Sequence, residues 1–175
     1  FRVGSGWNLT YAPPAFMALS IGAPEALRPR ILTFQRLRKV VEPKASNLFT
    51  GKYMAPPKDL VGWLLHHPYM QVSTPTQTQV AGITAVQIDA VFTSAPKRYG
   101  APGLPQHGCP APCVLMWTAG KPDDYVFFFK GQSVRFVVVP IHGEELVITI
   151  ESLSEEFTQV LMAAEAVLST VSFVT

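Results

Sequence analysis

The chain has 175 residues, 48% of them hydrophobic and only 15% charged, and its 14 basic and 12 acidic side chains leave a formal charge of +2. So small an imbalance excludes the electrostatic footprint of a nucleic-acid binder. The length suits one domain, 1–175, able to bury about 70% of the surface its unfolded form would expose.

A charged fraction below the roughly 25% of an ordinary soluble domain points to partners or a ligand cavity. The longest apolar candidate is broken by Arg135, His142, Glu144 and Glu145, so no segment approaches the roughly 18 residues that would span a bilayer. The chain starts at Phe1 without an initiator Met or a leader-like apolar stretch, which is read as a processed or trimmed end and a hint of export.

In chain order, Trp7, Leu9 and Tyr11 alternate with polar neighbours, and 16–21 forms a second short strand after Pro13-Pro14. The segment 31–41 is strand-like but carries Arg36, Arg38 and Lys39, charges expected to blunt a sheet edge or line its wet face. A loop over 42–57 leads to a short helix at about 58–66, with Leu60, Trp63 and Leu64 on one side and Pro68 as its stop. Gly82 turns the chain into a long strand at 83–93, with Val86, Ile88, Ala90 and Phe92 facing one way.

The stretch 94–112 is rich in Pro and Gly and continues neither strand nor helix; long loops of this kind are usually functional or disordered. Strands are expected at 113–117 and 125–129. Val134, Phe136 and Val138 then alternate with Ser133, Arg135 and Val137, His142-Gly143 turns, and Leu146, Ile148 and Ile150 alternate with Val147, Thr149 and Glu151. This predicts a hairpin with one strongly buried face. Phe157, Val160, Leu161, Ala164, Val167, Leu168 and Val171 recur at helical spacing, so a helix at about 154–169 closes over that face before a final strand. The expected class is α+β: a mainly antiparallel sheet flanked by the two helices.

The sharpest local pattern is His107-Gly-Cys109-Pro-Ala-Pro-Cys113. A disulfide between Cys109 and Cys113 is geometrically easy there. A zinc or copper site would recruit His107, Cys109 and Cys113 with His142 or Met116 as a fourth ligand. A redox thiol is the third reading, although the spacing is one residue longer than Cys-x-x-Cys.

His66-His67 is read as interacting with a helix C-terminus, since adjacent helical side chains diverge by about 100 degrees and grip one ion poorly. Asp123-Asp124 and Glu144-Glu145 read as solvated turns, and Glu155 and Glu156 as first-turn charges complementing a helix dipole. Asn8-Leu9-Thr10 matches a glycosylation sequon. Nucleophile-elbow, phosphate-loop, dinucleotide and zincin motifs do not occur in the sequence.

Taken together, a Gly-Trp near the start, PPKDLVGWLLHHP, AGITAVQIDAVF, CPAPC and SVRFVVVPIHGEELVITIES with its Glu-Glu-Phe helix start resemble a family of bacterial envelope proteins and lipoproteins. That family has a PsbP-type architecture, an antiparallel sheet flanked by helices. The resemblance implies a binding or assembly role outside the cytoplasm, in the periplasm, the cell envelope or secreted, and it supplies no catalytic residues and no cofactor.

The leading expectation is therefore a non-enzymatic domain that binds a protein partner or an apolar small molecule. Tyr99, Leu104, Trp117 and Phe128 are the candidate contact surface. Phe128 is included on the expectation that Phe127 and Phe129 face the core and turn it outward. The alternative is a metal-handling or thiol-redox protein built on His107, Cys109 and Cys113.

Overall fold

A computed structural model describes residues 6–11, 16–22, 30–43, 52–96, 112–119 and 125–173. Its strands are β1 (Trp7–Tyr11), β2 (Phe16–Ile21), β3 (Ile31–Val41), β4 (Tyr53–Met54), β5 (Met70–Val72), β6 (Thr76–Val80), β7 (Ile83–Phe92), β8 (Cys113–Ala119), β9 (Tyr125–Phe129), β10 (Gln132–Ile141) and β11 (Glu144–Leu153). Two helices join them, α1 (Leu60–Leu65) and α2 (Phe157–Leu168).

Strands account for 57% of the described structure and helices for 15%, so the molecule is closer to all-β than to the expected α+β class. The main path runs β1-β2-β3-β11-β10-β7-β5, with β6 also on β7, and every pairing is antiparallel. Strand β3 serves two layers. Its first half pairs with β2 and β11, and its second half, from Leu37, pairs with β8 and β4, while β8 carries β9. The expectation that charges at 31–41 blunt an edge or line a wet face is corrected for its first half only: 31–35 lies between β2 and β11, whereas 36–39 is paired on one side and exposes Arg36, Arg38 and Lys39.

The error in class has a physical origin in the β10–β11 hairpin. Alternation there suggested one buried face, but both faces are buried. Val134, Phe136, Val138 and Val147 join a core with Val114, Met116 and Phe128 of the second layer and with Leu60 and Leu64 of α1. On the opposite face Val137, Val139, Ile148 and Ile150 pack against Val160, Ala164 and Val167 of α2. A sheet covered on both sides needs near-continuous apolar strands, and a second β layer does the covering that a wet face was expected to do without.

Local chemistry sets the joints. His142 and Gly143 have φ of 50° and 81°, and Ala81 and Gly82 have 52° and 79°, the paired positive values of the two-residue turn whose twist matches antiparallel strands. The side chain of Asp59 caps α1 by accepting from the Gly62 amide at 2.7 Å. A Cβ at position 62 would collide with that carboxylate.

Helix α2 is fastened by ion pairs at both ends. Arg30 donates through Nε and Nη2 to Glu156 at 2.9 and 2.8 Å, and Arg135 reaches Asp89 at 2.7 and 2.9 Å and Glu165 at 3.2 Å. Glu156 therefore works through Arg30; it makes no side-chain cap. Among the described residues the expected final strand is not formed: Val171 and Phe173 continue as irregular chain packed on the second core.

Candidate functional site

Of the residues singled out by sequence, Tyr99, Leu104, His107 and Cys109 lie outside the described residues. Trp117 and Phe128 are both 0% exposed, which corrects their assignment to a contact surface. The parity of β9 is the reverse of the expected one: Phe128 faces inward, stacked on Phe92 at 4.8 Å between ring centroids and edge-on to Trp117 and Phe136. Phe127 and Phe129 take the half-buried outer face.

Cys113 is buried and is not a free thiol. It pairs with Phe129, close to where β10 begins, whereas His142 follows the far end of that ten-residue strand. A strand of that length separates them by about 30 Å, so His142 cannot join Cys113 around one ion. Met116, the other suggested ligand, is buried in the core. Among the described residues no group of three His, Cys, Asp or Glu side chains could hold a metal.

What the structure does bring together is a chain of polar groups inside the apolar core, on the face of the main sheet that meets β8 and β9. The rows are set by register, with Thr33 opposite Thr149 and Ile31 opposite Glu151. Trp117 Nε1 donates to Gln35 Oε1 at 2.6 Å, the Gln35 amide donates to Thr33 Oγ1, and Thr33 and Thr149 share a 2.7 Å hydroxyl contact. Thr149 Oγ1 donates to Glu151 Oε1 at 2.6 Å. From the other side Gln132 Nε2 donates to Glu151 Oε2 at 3.1 Å while its own Oε1 accepts from the Phe129 amide at 2.9 Å.

Glu151 is 6% exposed, and burial pushes its carboxyl up to about 7 against the opposing pull of Thr149 and Gln132. Sequence reading placed Thr149 and Glu151 on an outward face and missed the group. The available signal was Thr33 and Gln35 at spacing two in one strand and Thr149 and Glu151 at spacing two in another, each within an otherwise apolar run.

A second buried polar spot has the opposite character. His66 is exposed and its Nδ1 lies 2.7 Å from Gly62 O, while the next residue, His67, turns inward and is 3% exposed. Both of its ring nitrogens, and Nε1 of Trp63 beside it, lack hydrogen-bond partners. The rings of Trp63 and His67 meet edge-on at 5.1 Å, and desolvation lowers the imidazole to about 4, so it is neutral at physiological pH.

At the surface, two clefts meet at the β10–β11 turn. One, of about 520 Å³, is lined by Arg36, Leu37, Arg38, Pro56, Leu60, Glu144 and Glu145. The other, of about 340 Å³, has apolar walls from Met17, Phe34, Ile141, Leu146, Val171 and Phe173. Arg36, Glu144 and Glu145 belong to both. The Arg36–Glu144 pair between them is loose, 3.6 Å apart with both side chains more than half exposed. Burial, and then the charge of Asp59, raises the Glu145 carboxyl. No family model and no curated protein matches the chain. The geometry of these sites therefore carries the functional argument. No described helix is long and apolar enough to cross a membrane.

Proposed function

We propose that the protein is a non-enzymatic binding domain, acting outside the cytoplasm, that holds a protein segment across the two clefts at the β10–β11 turn. One observation carries this reading: an apolar cleft and a charged cleft are contiguous through Arg36, Glu144 and Glu145. Their sizes fall in the range of ligand sites. Apolar side chains of an extended segment would fill the wall formed by Met17, Phe34 and Leu146. Flanking charges of either sign would find Arg36 and Arg38 or Glu144. Because the Arg36–Glu144 pair is solvated and worth at most about 1 kcal/mol, a partner can open it at little cost. The apolar wall supports a protein segment over a small polar solute.

The test is a peptide-display selection on the intact chain, with Leu146→Arg as the control for cleft-directed binding. The reading predicts that enriched peptides alternate apolar and charged residues, and that they lose at least tenfold in affinity on the variant. Peptides that bind both proteins equally would remove the clefts from the function. The extracytoplasmic setting goes with a Cys109–Cys113 bridge. An intact mass short by two hydrogens supports that bridge, and a full dithiol mass removes it.

A further inference from the structure

The polar chain that ends on Glu151 has a direction, and the direction is forced from both ends. An indole N–H can only donate, so Gln35 must present Oε1 to Trp117 and its amide nitrogen to Thr33. Thr33 then gives its proton to Thr149, and Thr149 gives its own to Glu151. At the other end the Phe129 amide can only donate, which fixes Gln132 with its nitrogen toward Glu151. Two strings of donors converge on one carboxylate, and five strands, β3, β8, β9, β10 and β11, are tied to it.

An added proton has no acceptor in this arrangement. On Oε2 it meets the Gln132 N–H. On Oε1 it meets the Thr149 hydroxyl, which could turn only if Thr33 turned too, and Thr33 faces the Gln35 amide. Protonation therefore weakens one link, because the oxygen that becomes a hydroxyl accepts less strongly than a carboxylate oxygen and its new proton points at a donor. We propose that Glu151 is a proton-uptake site that works as a local hydrogen-bond latch: ionised, it draws both strings of donors onto its two oxygens; protonated, it loosens the string at Thr149 or at Gln132.

The surroundings contribute no competing charge. From β2 the same face presents Ala18 and Ser20, by register with Thr33 and Ile31; β3 presents Thr33 and Gln35, β8 Trp117, and β10 Gln132 and Val134. None of these titrates near neutrality, and His67, which reaches Trp117 through Trp63, is lowered to about 4 by burial and stays neutral above it. The Asp89–Arg135–Glu165 and Arg30–Glu156 groups bind α2, which covers the opposite face. Burial without a countercharge is what brings the proton affinity of Glu151 into the neutral range.

The test is NMR of the isotopically labelled full chain between pH 5.5 and 8.5, following the Glu151 carboxyl carbon and the Trp117 indole N–H at the far end of the chain. The latch predicts that both move together with a midpoint near 7, and that Glu151→Gln flattens the indole response. An indole signal that stays fixed while Glu151 titrates overturns the proposal, as does titration of Glu151 in the ordinary carboxylate range.

A charge swap gives a second, independent readout. Glu151→Gln can accept from only one of the two donors: with its oxygen kept on Thr149, its amide nitrogen faces the Gln132 amide, donor against donor. Adding Gln132→Glu restores the direction, since a carboxylate at 132 accepts from both the Phe129 amide and the new amide. The double variant is expected to have an unfolding constant at least tenfold smaller than Glu151→Gln alone. A double variant no more stable than the single one counts against the forced direction. If the single variant does not fold, the wild-type titration still decides.

Discussion

Two titratable side chains are buried within reach of one tryptophan, and they are treated in opposite ways. Glu151 has donors on both oxygens and a polar chain leading to Trp117. His67 has no partner at either nitrogen and touches Trp63, whose ring lies 6.5 Å from Trp117. A buried carboxylate keeps its charge only if donors replace water. A buried imidazole can escape the same cost by staying neutral, leaving a smaller penalty for unmet hydrogen bonds. The contrast shows that burial alone does not mark a working polar group; the hydrogen-bond inventory around it does.

Trp117 belongs to both regions, so replacing it should have the largest effect. Trp117→Phe keeps an aromatic ring against Phe128 and Phe136 but removes the N–H that orients Gln35. It leaves Gln35 Oε1 buried without a donor, a loss of about 1–3 kcal/mol, and a cavity adds to it. Urea denaturation should show about 3–4 kcal/mol of lost stability. A loss below about 1 kcal/mol would mean that the polar chain is not held from the tryptophan end.

The next effect is a matter of sign. Glu151 is raised in the folded state from 4.5 to about 7, so its contribution is fully present below pH 4.5 and is lost as pH rises through 7. His67 is lowered from 6.5 to about 4, so its contribution is fully present above pH 6.5 and is lost as pH falls through 4. The two slopes oppose each other between pH 4.5 and 6.5 and nearly cancel. Removing either group should unmask the other. The stability of His67→Phe relative to wild type should fall by about 3 kcal/mol from pH 4 to 7, and that of Glu151→Gln should rise by about the same amount from pH 4.5 to 7. Parallel curves for variant and wild type in either experiment would show that the group concerned titrates alike in folded and unfolded chains.

Period-two alternation in β7, β10 and β11 and the helical spacing in α2 were readable because each pattern has one physical cause, a face turned to the core. What alternation cannot say is whether the other face is also covered. Val137, Val139 and Val147 carried that information, since apolar residues at the supposedly wet positions signal burial on both sides. The same blindness reversed β9: Tyr-Val-Phe-Phe-Phe has no polar residue to set its parity, so register with β8 decided it. The Glu151 site was hidden for a related reason. Thr, Gln and Glu in a strand are ordinarily solvent-facing, and their meeting depends on pairings between residues about 116 apart in the chain. By contrast, the clefts at Arg36 arise where β3 passes from one layer to the other, a bend that no local pattern announces.

The smallest expected effect tests the other half of the contrast. If His67 is only tolerated, replacing it by an apolar ring of similar size removes two unmet hydrogen-bonding groups and retains contact with Trp63 and Tyr69. His67→Phe at pH 7 should then be neutral or stabilising by up to about 1 kcal/mol, because exchanging an unsatisfied polar group for an apolar one avoids its desolvation cost. Thermal denaturation of both proteins at that pH is sufficient to measure it. A loss of more than about 1 kcal/mol would show that His67 has hydrogen-bond partners in solution, such as a buried water bridging it to the Trp63 N–H. In that case the two buried groups would differ in what satisfies them, protein on one side and solvent on the other, and not in whether they are satisfied.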